Sequence, residues 1–235
     1  MGLIARSVDF LFGGPRVGGA SAARLAAWQR LPRADLGLSH AETRYVVVDV
    51  ETTGLDLRRD KAIAIGAIGV SSCTMALDDC FDVVLRQERA SADDNILVHG
   101  IGGQTQLGGQ DPALAMLDFI EFAGKSPLVA FRAEFDRSVL ERATYDALGA
   151  SLRLPFIDLA LLLPALFQGT ACDGLDHWIA HFGGDIAARH HALADAYATA
   201  QLLLIALAAA DAAGMKSAAQ LQATQKAQQW LGIRG

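Results

Sequence analysis

Residues 45–54 read YVVVDVETTG, and both the fold and the candidate site depend on this stretch. The apolar and aromatic run Tyr45–Val48 predicts a buried β-strand, which carries Asp49 and Glu51 toward its end. Side chains alternate between the two faces of a strand, so these two carboxylates point the same way. Neighbouring carboxylates repel each other and resist burial unless a cation neutralises them. The stretch therefore predicts a divalent metal site.

Composition and charge define the broad class of the protein. The chain has 235 residues, 52% hydrophobic and 20% charged, which is typical of a folded protein with one sizeable core. The net charge of −6 argues against a broad basic surface for duplex nucleic acid, but not against a small cleft that holds a strand end through metal ions. Without a run of about 18 uninterrupted apolar residues or a secretory signal pattern, we expect a cytoplasmic protein with no membrane partner.

Cysteines and a histidine pair were considered as alternative metal ligands. Cys73, Cys80 and Cys172 are odd in number and have no C-x-x-C spacing, so we expect buried free thiols in a reducing compartment. His177 and His181 have the i, i+4 spacing of some zinc ligands. The glutamate of an H-E-x-x-H motif is missing, so we expect a half-exposed helical face instead.

The order of predicted elements indicates an α/β fold. Strands at Tyr45–Val50, Ala62–Val70 and Cys80–Arg86 follow one another and favour an antiparallel meander. Helices then alternate with short strands at Pro127–Phe131 and Phe156–Asp158, which predicts a mixed sheet flanked by helices. The remaining predictions are a loop-rich segment at Ser91–Gly109 and helices at Asp111–Gly124, Ala133–Leu148, Leu159–Phe167, Gly174–Phe182 and Asp195–Ala213.

Three regions differ in composition along the chain. Residues 1–44 are punctuated by glycine and proline and are predicted to form an N-terminal helical extension. Residues 45–213 hold the predicted sheet and its helices. Residues 214–235 are rich in Gln and Ala and predict a peripheral C-terminal helix.

The N-terminal extension contains one clear helical pattern, at Ala20–Arg30, for which Ser21 is a candidate cap. Leu25, Trp28 and Leu31 recur at helical spacing. We expect them to pack on the main domain. Docking to a partner protein is the alternative.

Two further acidic residues stand where they could complete the metal site. Asp136 follows an apolar strand by five residues and lies in the opening turns of the next helix, and Asp195 stands at the start of the long helix. An isolated acidic residue at a helix start is more often a cap or a partner of the helix dipole. Together with Asp49 and Glu51, however, four carboxylates from separate elements can hold two hard divalent cations, Mg²⁺ or Mn²⁺, that clamp a phosphate.

Three motifs, in order, resemble those of the DnaQ-like, DEDDh-type 3′–5′ exonuclease family, which includes the proofreading epsilon subunit of DNA polymerase III, RNase T and oligoribonuclease. They are DVETTGLD at 49–56, LVAFRAEFDRSVL at 128–140 and HHALADAYATAQLLL from His190, and the resemblance extends from Tyr45 to Ala210. It implies an RNase H-like fold and hydrolysis of nucleotides one at a time from a 3′ end, for which single-stranded or frayed DNA is our leading hypothesis.

The resemblance also implies roles for single residues. It carries Asp49, Glu51, Asp136 and Asp195 over as metal ligands, with a histidine as the general base. The family spacing H-x-x-x-x-D selects His190 for that role, since it stands five residues before the last of these ligands.

The neighbouring His191 stands four residues before Asp195, where a continuous helix would place both on one face. We expect it to be a structural or phosphate-side neighbour of the base. A base that precedes the helix is physically sensible, since it must reach an attacking water.

Four residues are implied as contacts of the terminal nucleotide. Thr53, Gly54 and Leu55 follow the first motif, with Leu55 wedged against the base, and His99 lies in a V-H-G-I sequence similar to the H-G-I loop of the family. For Leu55 and His99, ordinary packing or a loop hydrogen bond is an equally good interpretation.

The chain departs from the family pattern at two places. Phe131-Arg132 stands where the second motif usually has His-Asn, and Ala64 stands where a glutamate is common. An arginine at this position could reach a phosphate, because it is a bidentate donor. These departures leave the substrate preference open more than the metal site.

Three functions remain as alternatives. The leading hypothesis is a metal-dependent exonuclease for DNA 3′ ends. The second is an exoribonuclease that trims short RNAs, since the motifs do not report contacts to the 2′-position. The third is a non-catalytic module that docks to a polymerase or another protein, which the helix with Trp28 and the Gln-rich tail would support.

Overall fold

A five-stranded mixed sheet lies at the centre of the computed structural model, which describes residues 17–57, 59–185 and 190–232. The order of the strands is β3-β2-β1-β4-β5. The first three strands pair antiparallel, and β4 and β5 continue the sheet parallel to β1. The predicted meander and mixed sheet are thus confirmed. The strands are β1 (Tyr45–Thr52), β2 (Ala62–Ser71), β3 (Thr74–Val84), β4 (Leu128–Ala130) and β5 (Phe156–Asp158).

Helices cover both faces of the sheet. One hydrophobic cluster joins the sheet to α1, α4 and α5, and a second joins it to α6, α7, α8 and α9. The helices in the described part of the chain are α1 (Gly19–Arg30), α2 (Asp93–His99), α3 (Gly103–Leu107), α4 (Pro112–Ala123), α5 (Ala133–Leu148), α6 (Leu159–Leu166), α7 (Leu175–His181), α8 (Ala192–Ala212) and α9 (Ala218–Gly232).

The alternation of β1 decides which way the acidic pair points. Val46 and Val48 belong to the cluster on the α4–α5 face, whereas Val47 belongs to the cluster on the α8 face. Asp49 and Glu51 continue the series of Val47, so their side chains lie on the face that α8 covers.

The predicted bounds of the third strand and the predicted loop at Ser91–Gly109 are wrong. Ser72 and Cys73 alone connect β2 to β3, both with positive φ (52° and 54°), as in a tight hairpin. The third strand therefore begins at Thr74 and ends at Val84, instead of running from Cys80 to Arg86. Its largely exposed side chains carry no buried apolar pattern that would have predicted it. Similarly, the predicted loop at 91–109 contains α2 and α3.

The N-terminal helix packs on α4 as expected. Leu25 and Trp28 are buried, and the Trp28 indole donates a hydrogen bond to the Gly124 carbonyl at 2.7 Å. Leu31, by contrast, is 45% exposed, because the helix has ended at Arg30. The Ser21 cap is also wrong, since the helix starts at Gly19 and no side chain caps it.

The Gln-rich C-terminal helix covers the outer edge of the sheet. Gln222 donates to the Phe156 carbonyl at 3.0 Å, and Gln225 accepts the Asp158 N–H at 2.8 Å. These side chains pair backbone groups that an edge strand otherwise leaves to solvent or to another chain. The glutamines therefore have a role within the domain. The division of the chain into 1–44, 45–213 and 214–235 stays a prediction.

Helix α8 is the one helix among the described residues that is long and apolar enough to cross a membrane. It packs against β1 and β2, and just over half of its apolar window is buried, as in the core helix of a folded domain.

The three cysteines are free, as expected, but their predicted burial is wrong. Cys73 and Cys80 are exposed and Cys172 is half-buried. The first two lie on the β2–β3 hairpin at the edge of the sheet. His177 and His181 are exposed on α7.

Candidate active site

Three carboxylates meet where β1 passes the start of α8. Asp49, Glu51 and Asp195 each offer one oxygen, and these oxygens lie within 4.8 Å of one another. Asp49 and Glu51 are half-buried, and Asp195 is buried. Oxygens on opposite sides of one Mg²⁺ stand about 4 Å apart, twice a metal–oxygen distance of about 2.1 Å. The donor set and its spacing therefore fit a hard divalent cation.

Gly66 lets α8 approach β1 closely enough to form this group. It is paired with Asp49 across the sheet. A Cβ atom on Gly66 would lie 2.1 Å from the Leu193 nitrogen and 2.2 Å from the Ala192 carbonyl carbon. Any side chain there would push the first turn of α8, and Asp195 with it, away from the sheet. A glycine inside an apolar strand is the sequence signal that could have revealed this contact.

Asp136 lies outside the group of three. Its side chain is buried at the start of α5, next to the backbone N–H of Val50, from which it accepts a hydrogen bond. Burial raises the pKa of Asp136 to about 8, and the charges of Asp158 and Glu51 add to the effect. A cation beside Asp136 would favour its ionised form. The structure thus brings three of the four predicted ligands together and places the fourth behind Glu51.

His190 lines the same cleft, which has a volume of about 260 Å³. Its backbone N–H donates to Asp195 Oδ2 at 3.0 Å, and its φ of 58° lies in the left-handed region that few residues other than glycine adopt. This bond fixes the backbone of His190 beside the acidic group, and the side chain is exposed. His191 instead forms the N-cap position of α8 and lines two neighbouring hollows outside the cleft.

Arg132 also lines this cleft. It also has a left-handed backbone (φ 62°, ψ 51°), and its N–H donates to Asp158 Oδ1 at 3.0 Å. Its guanidinium Nη2 donates to the Asp173 carbonyl at 2.8 Å. Asp158 also caps α6, since its side chain accepts a hydrogen bond from the Ala160 N–H. Burial raises the pKa of Asp158.

The loop after the first motif is organised by Asp60, which sequence reasoning missed. Its carboxylate accepts from the Thr53 hydroxyl at 2.9 Å and from the Asp56 N–H at 2.7 Å. A Cβ on Gly54 would lie only 2.5 Å from this carboxylate, so a side chain there would displace Asp60. The result is a closed loop that presents Leu55 to solvent with 85% of its surface exposed.

His99 is buried and holds the H-G-I loop together. Its Nδ1 accepts the Ile101 N–H at 2.9 Å, and its Nε2 lies 3.4 Å from the Ser91 hydroxyl. Burial lowers the pKa of His99. The loop lines a hollow of about 540 Å³, whose wall includes the exposed Leu97 and which meets the acidic cleft at His190.

Ala64 lies on β2 opposite Glu51 and is buried. A glutamate at this position would bring a further charge beside the acidic group. Without such a glutamate, the predicted ligand set consists of the three clustered carboxylates and Asp136.

The sequence profile of the exonuclease family RNase_T matches residues 46–203, which include all four predicted ligands and His190. The chain therefore belongs to this exonuclease family, the DnaQ-like family that its three motifs resemble.

Curated relatives have names connected with DNA polymerase III. The chain is 30% identical over 171 residues to the "DNA polymerase III subunit epsilon" of Rickettsia felis, covering 68% of this chain and 72% of that one. It is 32% identical to the "DNA polymerase III subunit epsilon-like protein" of Rhodobacter capsulatus (73% and 25% covered) and 31% identical to the "DNA polymerase III PolC-type" of Clostridium perfringens (69% and 11%). The chain thus spans a quarter or less of the last two relatives.

Solved structures share the fold at low sequence identity. E. coli Exonuclease I in complex with a dT13 oligonucleotide aligns with a TM-score of 0.63 at 17% identity, covering 72% of this chain and 42% of that one. Exonuclease X in complex with 5′ overhanging duplex DNA aligns with a TM-score of 0.60 at 20% identity, covering 77% and 99%. The predicted RNase H-like exonuclease fold is confirmed.

Proposed function

We propose that this chain is a metal-dependent 3′–5′ exonuclease that removes nucleotides from single-stranded or frayed DNA. The observation that carries the proposal is the convergence of Asp49, Glu51 and Asp195 within 4.8 Å, beside His190, in a member of an exonuclease family. The DNA bound by the two structural neighbours supports DNA as the substrate.

The clustered carboxylates, with Asp136 behind them, would hold two divalent cations, Mg²⁺ or Mn²⁺. When bound, such cations would neutralise the charge that develops on the phosphate oxygens. We propose both the binding of two ions and the role of Asp136 as one of their ligands. The half-buried position of Asp49 and Glu51 leaves them accessible from the cleft.

His190 serves as the general base in this proposal. A water molecule attacks the scissile phosphorus while His190 takes its proton, and the bond from phosphorus to the 3′-oxygen breaks. The 3′-oxygen takes a proton from solvent and becomes the 3′-hydroxyl of the shortened strand, and the released nucleotide keeps a 5′-phosphate. The hydrogen bond from the His190 N–H to Asp195 fixes the backbone of His190 beside the acidic group, from which the imidazole would reach the attacking water. The neighbouring His191 lines other hollows, which supports the choice of His190.

The terminal nucleotide would rest against the loop of Thr53, Gly54 and Leu55. The exposed aliphatic side chain of Leu55 offers a surface for a base, and the rigid bonds of Asp60 hold the loop in place. His99 would act indirectly, since its ring nitrogens are engaged in holding the H-G-I loop that frames the adjoining hollow.

The proposed setting is a cytoplasmic DNA-processing assembly. The names of the curated relatives support a polymerase or another protein as partner, and the net charge of −6 argues against tight independent binding of DNA.

The test is a panel of end-labelled single-stranded DNA and RNA oligonucleotides incubated with purified protein, with Mn²⁺ or with EDTA. We expect DNA to be shortened stepwise from its 3′ end in Mn²⁺ and to stay intact in EDTA. Degradation of RNA alone would replace the proposal by the exoribonuclease alternative. Intact DNA and RNA in Mn²⁺ would contradict both and favour the docking module.

A further inference from the structure

Arg132 stands out because it brings a positively charged side chain into an acidic cleft. Within the part of the chain that the structure describes, it is the one Arg or Lys side chain that lines this cleft. The acidic residues of the lining are Asp49, Glu51, Asp176 and Asp195. A guanidinium at this place weakens the binding of metal cations by repulsion. Metal binding therefore does not explain it, whereas an anionic ligand would.

The guanidinium is held in place by a bond that leaves most of its donors for other partners. The hydrogen bond to the Asp173 carbonyl uses one of the five N–H donors of an arginine. It fixes the long side chain, so less conformational entropy is lost when a further acceptor binds. A planar, prepositioned guanidinium matches the geometry of phosphate oxygens.

The backbone of Arg132 is also in an unusual conformation. A left-handed φ of 62° costs an arginine free energy that an asparagine or glycine would not lose. Strain of this kind persists where the surrounding structure imposes it, here through the bond from the Arg132 N–H to Asp158. The family pattern has asparagine at this position, which suits the conformation better. Arginine at a site that disfavours it points to a use for its side chain.

We propose that Arg132 binds a phosphate oxygen of the nucleic-acid strand next to the scissile bond, where the family pattern offers an amide instead. The site thereby depends more strongly on the charge of the substrate backbone. This inference rests on the proposed exonuclease function and adds a substrate-binding residue to it.

The test compares Arg132→Asn with the wild type in steady-state cleavage of labelled single-stranded DNA. We expect KM to rise about tenfold, the factor for one charge-assisted hydrogen bond. We expect kcat to change little, because the ground state and the transition state lose the same contact. The slope of log KM against log salt concentration should decrease by about 0.7, the value for one phosphate contact on a single strand.

Arg132→Asn is also expected to fold, because asparagine accepts the left-handed backbone and keeps the N–H bond to Asp158. Its melting temperature should not fall. Arg137→Asn is the matched control, since Arg137 lies on α5, the helix that Arg132 precedes, and pairs with Glu134 outside the cleft. We expect the control to leave KM and the salt slope unchanged.

Substrates with a neutral methylphosphonate at one linkage beside the scissile bond then identify the contact. At the linkage that Arg132 binds, the wild type should lose about as much affinity as Arg132→Asn does, and the variant should lose little more. If the wild type cleaves DNA but Arg132→Asn has the same KM and salt slope, the role of Arg132 is wrong and the exonuclease proposal stands. If the wild type cleaves no oligonucleotide, both proposals fall.

Discussion

Two groups of residues that line the cleft are built differently: the carboxylate side, formed by Asp49, Glu51 and Asp195, and the side formed by Arg132. On one side, Asp49 and Glu51 are half-buried on a regular strand and meet Asp195 from the first turn of α8. On the other, Arg132 has a left-handed backbone bonded to Asp158. Asp136, buried against the Val50 N–H, lies outside the lining of the cleft. The first side offers accessible oxygens to a cation. The second is held by a part-buried hydrogen bond of the backbone and an exposed one of the guanidinium, and it presents a positive charge.

The largest effect is expected on the carboxylate side. Asp195→Asn should lower kcat/KM for single-stranded DNA by about 10³-fold, because a metal site supplies several kcal/mol of transition-state stabilisation. Asp211→Asn, on the same helix and paired with Lys216, is the control and should retain activity. Comparable activity of the two variants would contradict the assignment of this side as the metal site.

The base stands between the two sides and should show the next largest effect. His190→Ala should lower kcat by about 10²-fold or more, since it removes proton transfer from the attacking water. His191→Ala should keep kcat near that of the wild type, because His191 lines other hollows. Rapid-quench measurement of a single turnover distinguishes them. A larger loss of kcat in His191→Ala than in His190→Ala would assign the base to His191.

Metal binding can be measured on the carboxylate side without substrate. Mn²⁺ at about 100 times its Kd should raise the free energy of unfolding by about 2.7 kcal/mol, since it binds the folded state preferentially. Thermal unfolding with Mn²⁺ and with EDTA measures the change. Asp49→Asn should reduce the increase, and an undiminished increase in that variant would locate the cation elsewhere.

The carboxylate side also depends on a close contact between β2 and α8. Gly66→Ala should lower the free energy of unfolding by about 1–3 kcal/mol, the range for overpacking, and should reduce activity by displacing Asp195. Gly18→Ala is the control, since nothing lies within 4 Å of the Cβ it would add. Urea unfolding and the DNA assay together test the contact. Unchanged stability and activity of Gly66→Ala would show that α8 does not need this approach.

The residues of the carboxylate side could be predicted from the sequence, whereas the tertiary contacts that hold them in place could not. The alternation of β1 and the spacing of the motifs identified Asp49, Glu51 and Asp195, which the structure brings together. The approach of α8 to Gly66 joins segments more than a hundred residues apart, and no local pattern reports such a distance. The left-handed backbone of Arg132 is likewise imposed by a tertiary bond, to Asp158.

Exposed elements were also hard to predict, for a different reason. β3 lies at the edge of the sheet and presents mostly exposed side chains, so it lacks the apolar alternation that marks a buried strand. The Gln-rich composition of α9 predicts only a peripheral helix, whereas Gln222 and Gln225 bond to the backbone of β5. Hydrogen bonds from side chains to a distant edge strand leave no periodic signal in the sequence.

The most direct test of the central claim is the direction of degradation of a single-stranded DNA that carries different labels at its two ends. With Mn²⁺, the account predicts early release of the 3′ label as a mononucleotide and stepwise shortening of the 5′-labelled strand, both abolished by EDTA and by Asp195→Asn. Early release of the 5′ label, or equal cleavage by the wild type and Asp195→Asn, would contradict it.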